Sequence, residues 1–287
     1  MHAEEVDTDP SLVQRLVAAQ FPQWAGLPVE PVLPRGTDNA NYRLGEQLLV
    51  RLPRREVNVG ALAKELEWLP RLAPQLPLDV PRPVARGEPG EGFPFPWAIF
   101  SWIEGENATA DSVDARRTAD DLAAFVAALR RADPADAPPA LRRGALHRWD
   151  ERTREAIAKL AGRYDTDAML AAWEDALAAP EWQGSPTLCH CDLDLRNVLF
   201  TDGRPTAVLD FGGVGVGDPA SDDALAWKVL PARARDAFWS ALGVDDASLA
   251  RARGWTVFQC AMALSYYTPE NNPALFLESE RWLVEAL

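Results

Sequence analysis

Lysine is nearly missing from this chain. Lys64, Lys159 and Lys228 are all there are among 29 basic residues, so its positive charge is almost wholly arginine. Cysteine is scarce as well: three in 287 residues, an odd number, argue against a disulfide framework and fit the reduced thiols of a cytoplasmic protein. There is no basic surplus. The net charge of −14 argues against nucleic acid and anionic membranes as partners, because both require a basic surface; it favours a cationic small molecule, although acidity that simply keeps the protein soluble is the more ordinary explanation. Long apolar runs are absent too; Leu122–Leu129 is far too short to span a bilayer. The acidic start, "MHAEEVDTDP", has no cationic segment followed by an apolar one, so no secretory leader is expected. Neither an internal repeat nor a low-complexity segment interrupts what reads as an ordinary globular composition, 47% hydrophobic and 25% charged.

What is present is concentrated in residues 187–223, "TLCHCDLDLRNVLFTDGRPTAVLDFGGVGVGDPASDD". Thr187 to Cys191 alternates like a strand, with Cys189 and Cys191 on one side and His190 and Asp192 on the other. Side chains on opposite faces cannot converge on a tetrahedral ion, which argues against zinc. A loop from Asp192 to Asn197 precedes the apolar run Val198, Leu199, Phe200. Asp202-Gly203 then turns the chain into Ala207–Asp210, the signature of a β-hairpin that returns Asp210 towards Asn197. An amide and a carboxylate at a hairpin mouth, followed by a glycine-rich run, suit Mg²⁺, which takes few protein ligands and keeps phosphate and water. Asp192 is then free to accept a proton from an attacking hydroxyl.

"HCDLDLRN" followed by "LDFGG" resembles the His-x-Asp-x-x-x-x-Asn catalytic loop and the Asp-Phe-Gly metal site of protein-kinase-like enzymes. The tail "VGVGDPASDDA" is similar to the aminoglycoside phosphotransferase family, which includes macrolide phosphotransferases and choline-kinase-like enzymes. The resemblance implies that Asp192 is the catalytic base, that Asn197 and Asp210 hold Mg²⁺, and that His190 is a structural member of the loop. It also places Asp218 and Asp222 in a "GDPxxD" element that steadies the loop and begins a helix, a role that helix capping explains equally. Two positions depart from the family pattern: Cys191 stands where Gly is usual, and Asp194 where His is usual.

Earlier in the chain, Asp9-Pro10 starts a helix with Leu12, Val13, Leu16 and Val17 on one face. Strands are expected at Tyr42–Leu44 and Leu48–Leu52. The segment Gly36–Asn41, with Gly36, Thr37 and Asn39, can present backbone N–H groups to phosphate oxygens, although an ordinary loop accounts for it as well. In the kinase-like plan a Lys on the second strand holds the α- and β-phosphates; here Arg51 occupies that place, with Glu65 on the following helix, about Asn58–Leu72, as its partner or as a solvated residue. The resemblance makes Ser101–Ile103 a hinge that pairs with a purine, with Phe100 or Trp102 lining the base pocket; a buried edge strand would require the same residues. Asp111-Ser112 reads as the cap of a helix burying Leu122, Phe125, Val126 and Leu129, and further helices are expected near Arg148–Ala161, Asp167–Ala178, Asp222–Val229, Pro231–Leu242, Ala247–Leu264 and Pro273–Ala286.

Strands first and helices later predict an α+β, protein-kinase-like bilobal fold: a small β-rich lobe over 1–103 and a mostly helical lobe over 104–287, with the site expected in the cleft between them. The function this implies is Mg²⁺-dependent transfer of the γ-phosphoryl group of ATP or GTP to a hydroxyl of a small molecule, an aminoglycoside or macrolide among the candidates. Two alternatives stand beside it: a kinase of a metabolic alcohol such as choline or a sugar, and a nucleotide-binding pseudoenzyme. For the acceptor, Asp194 and Glu270 can bind amines and Tyr266 and Tyr267 can stack, although each also reads as a surface or packing residue; His2 and His147 have no assigned role.

Overall fold

The computed structural model describes residues 5–33, 36–109, 112–142 and 144–287. The chain forms two compact units: one from residues up to Gln75, Asp79–Gly105 and Ala207–Gly212, the other from Leu76–Leu78, Glu106–Thr206 and Gly213–Leu287.

In the first unit, helix α1 (Pro10–Gln20) opens as its sequence predicts: Asp9 Oδ1 accepts from Leu12 N at 2.7 Å and Pro10 takes the first turn, where no N–H is needed. Strands β1 (Val29–Pro31), β2 (Asn39–Leu44), β3 (Leu48–Pro53), β4 (Pro83–Gly87) and β5 (Trp97–Ser101) form one antiparallel sheet in the order β1-β2-β3-β5-β4. The β2–β3 hairpin turns at Gly45, whose φ of +60° is natural to glycine. Along β3 the period of two separates duties. Val50 and Leu52 join Leu16, Val17, Leu44 and Trp97 in the core under α1, while Arg51 faces helix α2 (Glu56–Leu72). Between β4 and β5 the chain turns back, with Gly90 and Phe93 exchanging backbone hydrogen bonds. Both β1 and β4 escape the sequence reading because they are short edge strands containing proline, which is tolerated only where no ladder donor is needed.

Helices α3 (Ala115–Arg131), α4 (Asp150–Ala158), α5 (Thr166–Ala178), α8 (Ala232–Leu242), α9 (Asp246–Leu264) and α10 (Pro273–Ala286) build the second unit, joined by the short helices α6 (Ala220–Asp223) and α7 (Leu225–Val229). The expected single helix Asp222–Val229 is thus two pieces. Helix α3 is capped by Asp114, whose carboxylate accepts from Arg117 N at 3.2 Å; the expected cap residue Asp111 lies outside the described residues, as does His2. Helix α9 is the spine. Val257, Cys260, Ala261 and Leu264 pack with α5 and α10, while Ala252, Trp255 and Phe258 pack with Leu146, Trp173 and Trp227. Gly254 lets α5 come close, since a Cβ there would sit 2.4 Å from that of Ala176. Among the described residues, no helix is long and apolar enough to cross a membrane.

Candidate active site

The motif-bearing loop leaves strand β6 (Leu188–Cys189), which pairs with β9 (Gly215–Val216). The strand ends earlier than its alternation predicts, because Cys191 turns to φ +71°, a left-handed conformation that costs a non-glycine residue about 1–2 kcal/mol. Asp222, fully buried at the start of α6, holds that turn: its carboxylate accepts from His190 N at 2.8 Å and Cys191 N at 2.7 Å. His190 Nδ1 accepts from Asp192 N at 3.3 Å. Asp218 accepts from Ala220 N and is paired with the buried Arg251 at 2.8 Å.

Asp194 is no surface amine-binder. It is 1% exposed, accepts from Arg196 N at 2.9 Å and pairs with the Arg196 guanidinium at 2.5 Å, closing the single 3₁₀ turn Leu195–Asn197. Asn197 follows. Its Nδ2 donates to Asp192 O at 2.8 Å and lies 3.4 Å from Asp192 Oδ2, so its Oδ1 is the end left for a cation. The Asp192 side chain is one-third exposed and its Oδ1 accepts from Arg142 Nη2 at 3.1 Å. Burial alone would raise this carboxyl, but Arg142, then Arg196, Lys228 and His190, overcome it and hold it at about 2.

Three of those cations were not assigned from sequence. Arg142 lies in a loop with no pattern around it, and Arg196 sits inside the motif as an unspecified position. Lys228 had one signal, the rarity of lysine. It is 1% exposed, has no carboxylate within ion-pair distance among the described residues, and rests 5.5 Å from the Trp282 ring centroid. Burial first, and then repulsion by Arg142, lowers it to about 8 against the pull of Asp194 and Asp192.

The first unit carries the other candidate set. Arg51 Nη1 meets Glu65 Oε2 at 2.5 Å, and both side chains are buried. Glu65 Oε1 accepts from Phe211 N at 2.8 Å, tying helix α2 to the Asp-Phe-Gly segment, and Asp210 Oδ1 lies 3.9 Å from Arg51. Burial would lower Arg51, but Glu65 and Asp210 raise it, so it remains a guanidinium, with Phe100 5.5 Å beneath it. Asp210 takes φ +61° and its side chain is 40% exposed. Gly36 O accepts from Arg54 Nε, Thr37 is exposed, and the buried Asn39 has Oδ1 without a partner among the described residues. At the expected hinge, Ser101 N and Trp102 N already donate to Arg82 O and Gln47 O. Ile103 is the residue of that triplet whose amide has no backbone partner among the described residues.

Asn197 and Asp210 offer hard oxygen, and among the described residues no three or more His, Cys, Asp or Glu side chains converge as a metal cluster. An amide oxygen and a carboxylate are each of the hard-donor type that Mg²⁺ accepts.

A search of curated proteins finds no match. Solved structures do match. A GDP complex of wild-type aminoglycoside 2'-phosphotransferase-IIIa is 19% identical with a TM-score of 0.75, covering 97% of this chain and 98% of that one. A macrolide 2'-phosphotransferase from Brachybacterium faecium, as apoenzyme, is 24% identical with a TM-score of 0.60, covering 97% and 96%. At these identities they establish the protein-kinase-like α+β fold. The sequence profile described as the phosphotransferase enzyme family matches residues 31–255, most of the chain and every motif residue from Arg51 to Asp222, and on that match the chain belongs to the phosphotransferase enzyme family.

Proposed function

We propose that this phosphotransferase moves the γ-phosphoryl group of ATP or GTP to a hydroxyl of a small molecule, and that Asp192 receives that hydroxyl. The carrying observation is the Asp192 carboxylate, one-third exposed and fixed from two sides by Arg142 and Asn197. Held at about 2, it is ionised at neutral pH and a weak base in the ground state. It therefore orients the hydroxyl by hydrogen bonding and takes the proton late, once bonding to phosphorus has acidified the oxygen. Arg51, kept in place by Glu65, supplies a bidentate cation for the donor phosphates, aided by the backbone of Gly36, Thr37 and Asn39; Phe100, Ser101 and Ile103 border the base. Asn197 and Asp210 would hold Mg²⁺, which supplies positive charge to the phosphate oxygens. Three buried free thiols, Cys189, Cys191 and Cys260, suit the cytoplasm.

The solved structures of similar fold include complexes with kanamycin and with gentamicin, so aminoglycosides and macrolides head the acceptor panel, followed by choline and sugars. Incubation with Mg²⁺ and either nucleotide, read by mass spectrometry, should give a phosphorylated product. Asp192→Asn should lower kcat on the order of a thousandfold with the nucleotide still bound. Nucleotide binding with no turnover on any acceptor would instead support a pseudoenzyme.

A further inference from the structure

Asn107, in the second unit, is exposed and belongs to no motif. Its side chain nevertheless donates to three backbone carbonyls around Asn197. Nδ2 lies 3.0 Å from Leu195 O, 2.9 Å from Arg196 O and 3.2 Å from Val198 O. Two N–H groups thus serve three carbonyls, with one shared. The preceding residue works in the same direction, because Glu106 exchanges two backbone hydrogen bonds with Phe200 at 3.0 and 2.8 Å.

We infer that Asn107 is a positioning residue for phosphoryl transfer: it clamps the backbone on both sides of Asn197 and so aims the Asn197 amide. The carbonyls of residues 195 and 196 end a single 3₁₀ turn and have no helical partner beyond it, whereas that of 198 begins strand β7 (Val198–Thr201). Fixing the peptides before and after Asn197 restricts its φ and ψ, and with them the direction in which Oδ1 points. The same amide steadies Asp192. A misplacement of about 1 Å at such a site can cost about a hundredfold in rate. Its consequence for catalysis rests on the phosphoryl-transfer reading; the clamp itself does not.

Asn107→Ala and the nearly isosteric Asn107→Asp, which removes the donors, test it. Circular dichroism should show both folded, because the side chain is exposed. Hydrogen exchange over residues 195–200 should quicken at least tenfold in both. The affinity for Mn²⁺ in the presence of ADP, read by electron paramagnetic resonance, should fall about tenfold, and kcat should fall ten- to a hundredfold while nucleotide KM moves less than threefold. Unchanged exchange in both variants overturns the clamp. Faster exchange with unchanged Mn²⁺ affinity and kcat overturns its positioning role. A wild type that neither hydrolyses nucleotide nor phosphorylates any acceptor would sink the phosphoryl-transfer reading, with the exchange result still deciding the clamp.

Discussion

Lys228 is a buried ammonium whose nearest carboxylates are already engaged, Asp194 by Arg196 and Asp192 by Arg142. Lowering its pKa from 10.5 to about 8 means that the folded state holds the proton more weakly by on the order of 3 kcal/mol. The sign follows from linkage. Between about pH 8 and 10.5 the unfolded chain keeps a proton that the folded one has lost, so stability from this group rises with pH across that window, and below it the cost is present in full. Lys228→Met, which keeps the length and drops the charge, should therefore stabilise the protein at pH 7 by about 1–3 kcal/mol, a few degrees in Tm, with the gain shrinking towards pH 10. Thermal denaturation at both pH values checks it; a lower Tm at pH 7 would defeat the argument. Asp192, held at about 2 chiefly by Arg142 and Arg196, stays ionised at pH 7 without Lys228, so the same variant should keep kcat within about threefold. A buried lysine that costs stability beside the carboxylate proposed as catalytic fits a functional site. Cys191 shows a similar tension, a non-glycine side chain held at φ +71°.

At the scale of elements, what could be read from sequence was what local chemistry decides. Asp9-Pro10 announced α1, Asp202-Gly203 announced the hairpin of β7 with β8 (Arg204–Val208), and both glycine-type φ values, +51° and +74°, appear in that turn. The short strands were not legible. Strand β9 spans two residues and exists because Gly215 lets the chain pass within reach of Pro138, where a Cβ would fall 2.3 Å from a carbonyl oxygen; no periodicity can build up over two residues. The spine helix α9 raises a different issue. It is buried on several sides and lacks a clean polar face, so its length and its Asp245 cap identify it more than amphipathicity does. Gly254 is its packing hinge-point against α5. Gly254→Ala should cost about 1–3 kcal/mol through overpacking against Ala176, despite the better helix propensity of alanine. Chemical denaturation should show the loss with kcat per folded molecule unchanged. A more stable variant would mean that propensity outweighs the close approach.

Over the whole molecule, the acid and amide set was legible because its spacing is contiguous in sequence, whereas the cations around Asp192 were not. Arg142 and Lys228 reach it from positions 50 residues before and 36 after, and only folding joins them. This separates two charge scales. The chain as a whole carries −14, yet the Asp192 carboxylate feels guanidinium and ammonium groups around it. Long-range approach follows the first and is screened by salt over about 10 Å at 0.1 M, whereas the buried cations are screened far less. An anionic nucleotide should therefore be repelled at a distance and held only at contact. Raising salt from about 20 to 200 mM should increase kcat/KM for the nucleotide severalfold, lower it for a polycationic acceptor such as kanamycin, and leave it unchanged for a neutral sugar. Steady-state kinetics at the two ionic strengths decide the matter. If kcat/KM for the nucleotide falls with salt, the local cations govern the encounter as well as the bound state, and the net charge of the chain has no part in selecting what it binds.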